Sequence, residues 1–170
     1  MARALIVGCG CRGRLLGRAL LVEGWQVRGT SRSPARLDAI AAAGIEQASA
    51  DPDRVGSVLD LVEDVAVVVW ALGSATGSPE LVEAVNGPRL ERLLERLVDT
   101  PVRGLVYEGV GAVPDPALAA GAELVRAASE RWRIPAAVVA ADPADPDQWA
   151  GEAANAVRAV LAGPEPRARG

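Results

Sequence analysis

The residues best suited to chemistry are three glycines near the N-terminus. Gly8, Gly10 and Gly13 follow the apolar run 3–7 and precede leucines that share one helical face. In a G-x-G-x-x-G turn between strand and helix, the first glycine makes the tight turn, the second admits a pyrophosphate and the third packs helix on strand. Free amides at the helix start would face the phosphates. The alternative is an ordinary glycine-rich turn of another α/β protein.

The variable positions of this loop hold Cys9, Cys11 and Arg12, and we expect the whole run 8–13 to contact the dinucleotide. A thiol near a helix N-terminus can have a lowered pKa, which would permit redox chemistry or modification. Free cysteines more commonly act as small buried apolar residues. We therefore expect the two cysteines to fill variable positions of the motif.

A second candidate cluster is Thr30, Ser31 and Arg32, at the end of the second predicted strand. Proteins that bind NAD carry an acidic residue about 20 positions after the glycines, where it accepts the ribose 2′-hydroxyl. Two hydroxyls and a guanidinium suit a 2′-phosphate instead, because Arg donates to phosphate oxygens. The sequence therefore favours NADP over NAD. The alternative is that Arg32 is a solvated loop residue.

The composition excludes several kinds of site. All 18 basic residues are Arg, and the chain has no His. It therefore has no Schiff-base lysine, no histidine base and no Ser-His-Asp triad. Two cysteines without histidine cannot form a four-ligand zinc site of nitrogen and sulfur, so we predict no metal. The net charge of −4 argues against nucleic acid as the main partner.

Glu108 is the acidic residue at the end of the fifth predicted strand, with Ser74, Thr76 and Asp142 at neighbouring strand ends. A carboxylate in a partly desolvated cleft can act as a general acid or base. The alternative is a solvated loop residue. Glu108 is our catalytic candidate.

The elements that position these residues alternate between strand and helix along the chain. Strands are predicted at 3–7, 25–32, 45–50, 65–72, 102–107 and 136–140. Helices are predicted at 14–21, 34–43, 54–63, 79–97, 116–131 and 147–161, with a kink or restart at Pro88. This alternation predicts an α/β fold with a doubly wound parallel six-stranded sheet in the order 3-2-1-4-5-6. We expect one Rossmann domain over 1–162 and a loose tail over 163–170.

No apolar run approaches the length that spans a bilayer, and the first strand begins too early for a secretory leader. We therefore expect a soluble cytoplasmic protein with no membrane partner.

The first half of the sequence resembles the atypical and extended short-chain dehydrogenase/reductases, which are epimerase-like NAD(P)-binding proteins. The resemblance is dense over 3–72 and looser to about 143. It rests on Gly8, Cys9, Gly10, Gly13, Leu20, Gly24, Val27, the run 29–34, Leu37, Gly44 and Asp51. It implies that Arg32 contacts the 2′-phosphate and Asp51 the adenine side. It also implies that Ala71, Leu72 and Gly73 form the ribose-side segment after strand four, and that Asn86 matches a mid-helix Asn.

The catalytic part departs from the family pattern. Family enzymes carry a Ser at the end of strand five and a Tyr-x-x-x-Lys pair in the next helix. This chain has the run 108–111 in place of that Ser, and no Lys at all. Its one tyrosine, Tyr107, lies within a strand, so we expect it to pack rather than to donate a proton. We expect no counterpart here to the family's separate C-terminal substrate region.

These observations lead to one main hypothesis and two alternatives. We expect an NADP(H)-binding Rossmann protein that acts as an oxidoreductase on a small molecule with diverged catalytic residues. The first alternative is a non-catalytic NADP(H) sensor or binding module. The second is a protein that completes its substrate site in a homodimer, through the apolar face of 81–97, although that face could equally be core.

Overall fold

The computed structural model describes residues 1–163, which contain six strands and seven helices. The strands are β1 (Arg3–Val7), β2 (Gln26–Ser31), β3 (Glu46–Ser49), β4 (Val67–Trp70), β5 (Gly104–Glu108) and β6 (Ala136–Val139). The helices are α1 (Cys11–Val22), α2 (Pro34–Ala42), α3 (Val55–Leu59), α4 (Pro79–Asn86), α5 (Pro88–Leu97), α6 (Asp115–Trp132) and α7 (Pro146–Ala162). All strands pair in parallel, in the order β3-β2-β1-β4-β5-β6. The predicted doubly wound sheet and its strand order are confirmed.

The sheet is buried on both faces because successive strand residues point to opposite sides. In β1, Leu5 and Val7 belong to one apolar core, whereas Ala4 and Ile6 belong to the other. Helices α3, α4, α5 and α6 cover the first face, and α1, α2 and α7 cover the second. The uninterrupted apolar runs of the central strands follow from this double burial.

The strand order reverses beside β1, which lies between β2 and β4. The chain leaves β1 through α1 toward β2, and it later returns to add β4 on the other side of β1. The connections therefore diverge at the carboxyl end of β1 and leave a crevice there, which is where ligands bind in open α/β sheets.

Two boundaries differ from the prediction in ways that matter for the site. Helix α1 begins at Cys11 rather than at Arg14, because the amide of Arg14 already donates to the carbonyl of Gly10 at 2.9 Å. Cys11 and Arg12 therefore lie in the first helical turn. Glu108 belongs to β5, where it pairs with Val139, so it is a strand residue and not the start of a loop.

The long apolar segment 81–97 divides into two helices at Gly87, and α5 starts with Pro88, as predicted. Its inward leucines are buried within the chain, namely Leu90, Leu93, Leu94 and Leu97. They pack against the core that α6 and β5 share. These leucines therefore present no surface to a second copy.

The last described helix ends at Ala162. Residues 164–170 of the predicted tail lie outside the described residues. Within 1–163, no helix combines the length and the apolar composition needed to cross a membrane.

Candidate functional site

A cleft of about 450 Å³ opens at the carboxyl ends of the strands, over the crevice beside β1. Its lining brings together all of the predicted site residues except Gly73. They are Gly8, Cys9, Gly10, Cys11, Arg12, Gly13, Thr30, Ser31, Arg32, Asp51, Ala71, Leu72 and Glu108. Of the neighbouring strand-end residues, Ser74 and Thr76 line the cleft and Asp142 does not.

The three glycines of the loop differ in the space that surrounds them. Gly8 has a φ of +80°, and a Cβ there would lie 2.7 Å from the carbonyl oxygen of Ala71. A Cβ on Gly13 would lie 3.2 Å from Cγ2 of Ile6, which is the close packing of helix on strand. Gly10 differs, because its φ is −82° and a Cβ would meet nothing within 4 Å. The protein itself therefore does not require a glycine at position 10.

Thr30 holds the glycine loop against β2. Its Oγ1 accepts a hydrogen bond from the amide of Gly8 at 3.3 Å, and its carbonyl accepts one from the amide of Cys9 at 2.9 Å. The residue is 1% exposed. Thr30 therefore holds the loop in place through its hydroxyl and its carbonyl.

Ser31 and Arg32 remain at the mouth of the cleft on the β2 side. Ser31 Oγ accepts from the amide of Ser33 at 3.1 Å. The Arg32 side chain is 53% exposed, and its Nη1 lies 4.0 Å from Asp51 Oδ1. This weak surface pairing leaves the guanidinium available to a ligand.

The two cysteines have opposite environments. Cys9 is buried, and its Sγ fills the space that a Cβ on Gly29 would need. Burial raises the pKa of Cys9 to about 12, so it is a packing residue. Cys11 is exposed, and its Sγ accepts from Arg14 Nη2 at 3.4 Å. Any thiol modification would therefore act on Cys11.

The sequence did not reveal that Arg12 and Glu108 form an ion pair across the cleft. Arg12 Nη2 donates to Glu108 Oε1 and also to Ser74 Oγ at 2.9 Å. The Arg12 guanidinium carbon lies 5.6 Å from the centre of the Trp149 ring, in the range of a cation–π contact. The pair joins α1 to β5, and the sequence gives no signal for it because the two residues lie 96 positions apart.

Glu108 is 2% exposed and lies behind Arg12. Its Oε2 accepts from the amide of Gly73 at 3.2 Å, which is the role the structure gives to Gly73. Burial raises the pKa of Glu108, whereas its hydrogen bond to Arg12 and the positive charge of Arg12 act in the opposite direction. Glu108 is thus a buried carboxylate held by one cation, not the solvated loop residue of the alternative.

The loop after β5 closes against the loop after β4. The amide of Val113 donates to the carbonyl of Gly73 at 2.9 Å, and the amide of Ala112 donates to Ser74 Oγ at 3.3 Å. A Cβ on Gly111 would lie 1.9 Å from the carbonyl oxygen of Gly73, so the two loops are in direct backbone contact.

Tyr107 packs in the apolar core of the first sheet face and does not line the cleft. Its hydroxyl donates to Asn86 Oδ1 at 2.9 Å, and both residues are buried. Burial raises the pKa of the Tyr107 hydroxyl above its ordinary value. Tyr107 therefore has a packing role, in agreement with the expectation, and it cannot donate a proton to a ligand in the cleft.

The ion pair gives a prediction for pH-dependent stability. Replacing Arg12 by Leu removes the cation, so the pKa of Glu108 in the folded protein should rise further above its unfolded value of about 4.3. A raised folded pKa gives stability that is present below the unfolded value and is lost as pH rises through the folded value. We expect urea unfolding to show that the stability of Arg12→Leu falls as pH rises above the unfolded pKa, by at most about 1.4 kcal/mol per pH unit, the limit for one proton.

The control for this prediction is the double variant Arg12→Leu with Glu108→Gln, which has no carboxyl to ionise. Its stability should lack the fall with rising pH that Arg12→Leu shows. Parallel profiles for Arg12→Leu and the unmodified protein would show that Arg12 does not hold the charge of Glu108.

Solved structures with the same fold place this architecture among known proteins. BdcA (YjgI) from E. coli matches with a TM-score of 0.75 and 19% identity, over 96% of this chain and 91% of its own. A short-chain dehydrogenase from Streptomyces avermitilis matches with a TM-score of 0.68 and 17% identity, over 93% of this chain and 84% of its own. UDP-glucuronic acid 4-epimerase from Bacillus cereus, solved in complex with NAD, matches with a TM-score of 0.63 and 17% identity.

The epimerase match covers 80% of this chain but 55% of the epimerase, so the chain spans about half of that protein. No protein-family model and no curated protein sequence matches the chain. The structural likeness shows that the chain has the Rossmann fold of short-chain dehydrogenase/reductase and epimerase proteins. The expected fold is thereby confirmed.

Proposed function

We propose that this protein binds NADP(H) in the cleft beside β1 and acts as an oxidoreductase on a small carbonyl compound. Gly10 carries the proposal. Its backbone is unstrained and its missing side chain leaves open space, so the need for glycine comes from something that approaches from the cleft. A pyrophosphate against the first turn of α1 supplies that reason, because free amides at a helix start favour an anion.

Arg32 supports the choice of NADP over NAD. It stands at the end of β2, where the adenine ribose lies in this fold, and its exposed guanidinium has only a weak partner in Asp51. No acidic side chain follows β2 directly to accept a 2′-hydroxyl. Ser31 and Arg32 would hold the 2′-phosphate, and Asp51 would lie on the adenine side.

Glu108 is the proton donor in this proposal. When bound, the nicotinamide supplies a hydride to the carbonyl carbon of the substrate. The oxygen of that carbonyl then needs a proton, and Glu108 is the acidic residue at the β5 end of the cleft. A neutral carboxylic acid is the form that can donate, so the buried position of Glu108 favours this role.

A second candidate function is a sensor that binds NADP(H) without turnover. One observation favours it, because Arg12 covers Glu108 and the loops after β4 and β5 are in contact. A substrate then has little access to the carboxyl unless Arg12 moves.

The experiment is a panel of aldehydes and ketones, with NADPH oxidation followed by absorbance. We expect turnover that Glu108→Gln lowers by about 10²–10⁴, the usual span for general acid catalysis, while NADPH binding persists. Arg126→Ala, on an exposed face of α6, is the control that leaves turnover unchanged. Turnover that Glu108→Gln leaves intact would refute the role of Glu108, and tight NADPH binding without turnover would favour the sensor.

A further inference from the structure

The first turn of α1 carries an excess of positive charge. It holds Arg12 and Arg14 and no acidic residue, at the end of the helix where the dipole is already positive. Glu108 provides the compensating negative charge from another element, β5. Arg14 pairs with no carboxylate within 1–163, so Arg12 is the member of this turn whose charge is balanced by the protein.

The pairing of Arg12 is incomplete. Its Nε is buried without a hydrogen-bond acceptor among the described residues, and so is Nε1 of Trp149, against which the guanidinium packs. Glu108 accepts one hydrogen bond from Arg12 Nη2 at Oε1 and another from the amide of Gly73 at Oε2. Donors therefore outnumber acceptors here, and a phosphate would offer acceptor oxygens that Glu108 does not.

We propose that Glu108 stands in for the anion of the ligand: when a dinucleotide binds, the Arg12 guanidinium leaves Glu108 for the pyrophosphate, and the carboxylate of Glu108 takes up a proton from solvent. This inference rests on the proposed function, because it requires a phosphate at the glycine loop. It makes Arg12 a positioning residue that keeps Glu108 ionised until the cofactor has bound.

The surroundings of Glu108 explain why the proton would be taken up. The charged side chain in contact with Glu108 is Arg12, while its other close neighbours, the Gly73 amide and Tyr107 next to it in β5, are neutral. Burial favours the neutral acid, and Arg12 opposes it. Once Arg12 departs, the carboxylate and one proton become a carboxylic acid, the form that could protonate a reduced carbonyl.

Calorimetric titration with NADPH tests this coupling. Titrations of the full-length protein in two buffers of different ionisation enthalpy give the number of protons taken up per NADPH bound. The 2′-phosphate of NADPH can exchange protons as well, since phosphate monoesters titrate near about pH 6. That contribution is common to all variants with Arg32 intact. The difference between the unmodified protein and Glu108→Gln therefore isolates Glu108.

We expect the unmodified protein to take up more protons than Glu108→Gln, by up to one per NADPH, with the largest difference at pH values between the pKa of Glu108 in the free and in the bound protein. In Arg12→Leu the carboxyl is unpaired from the start, so the extra uptake should disappear although NADPH still binds. Arg14→Leu changes the other arginine of the same turn and should retain it.

Three results would overturn the inference. They are equal uptake in the unmodified protein and Glu108→Gln, uptake that survives in Arg12→Leu, and uptake that Arg14→Leu also removes. Each of these occurs with NADPH bound, so the proposed NADP(H) site would stand. Absence of NADPH binding to the unmodified protein would instead remove both the proposed function and this inference.

Discussion

Replacing Gly10 by Val is expected to abolish NADPH binding while the protein remains folded. The Val side chain would project into the open space above the first turn of α1, where we propose that the pyrophosphate lies. Loss of one or two hydrogen bonds to a charged group, at about 1.5–3 kcal/mol each, weakens binding by about 10-fold to about 10⁴-fold, and the steric block adds to this. Calorimetric titration with NADPH measures the loss.

The fold should tolerate this change because the φ of Gly10 is −82° and no atom lies within 4 Å of the added Cβ. Gly151→Val is the matched control, since Gly151 also has open space around its Cβ but lies in α7 and does not line the cleft. Circular dichroism should show both variants folded, and only Gly10→Val should lose the nucleotide. Unchanged affinity in Gly10→Val would place the nucleotide away from the glycine loop.

Replacing Arg32 by Ala is expected to weaken NADPH binding by about 10- to 100-fold and to leave NADH binding nearly unchanged. The guanidinium would lose charge-assisted hydrogen bonds to a 2′-phosphate, which are worth about 1.5–3 kcal/mol, and NADH has no such phosphate. The pairing of Arg32 with Asp51 is weak and exposed, so its loss should cost the fold little.

Thermal unfolding checks this prediction alongside direct binding. NADPH at 100 times its Kd stabilises a protein by about 2.7 kcal/mol, so the shift should be clear for the unmodified protein. At that same NADPH concentration the shift in the unfolding temperature should be much smaller for Arg32→Ala. Arg126→Ala, which removes an exposed arginine of α6, should keep the full shift. Equal shifts with NADH and NADPH for the unmodified protein would contradict the preference for NADP.

The sequence by itself determined the fold and the position of the glycine loop. Apolar residues at helical or strand spacing indicate which segments are helices and which are strands. Strands and helices that alternate over a chain of this length predict a doubly wound sheet, because that fold buries both faces of the sheet. The glycine loop could be predicted from the sequence because Gly8, Gly10 and Gly13 lie within six consecutive residues. Local signals of this kind need no knowledge of distant residues.

Only the tertiary structure decided which polar groups meet. Arg12 reads as a variable position of the loop and Glu108 as a lone acid, yet they pair because β1 and β4 bring α1 beside the end of β5. Thr30 follows the glycines by 17 positions or more, yet its hydroxyl accepts a hydrogen bond from the amide of Gly8. Each of these pairings joins residues that are far apart in the chain. Secondary-structure propensity and hydrophobic periodicity are local signals, so they do not predict such pairings. The packing of the sheet sets these distances, and with them the burial and the Arg12 contact that shift the pKa of Glu108.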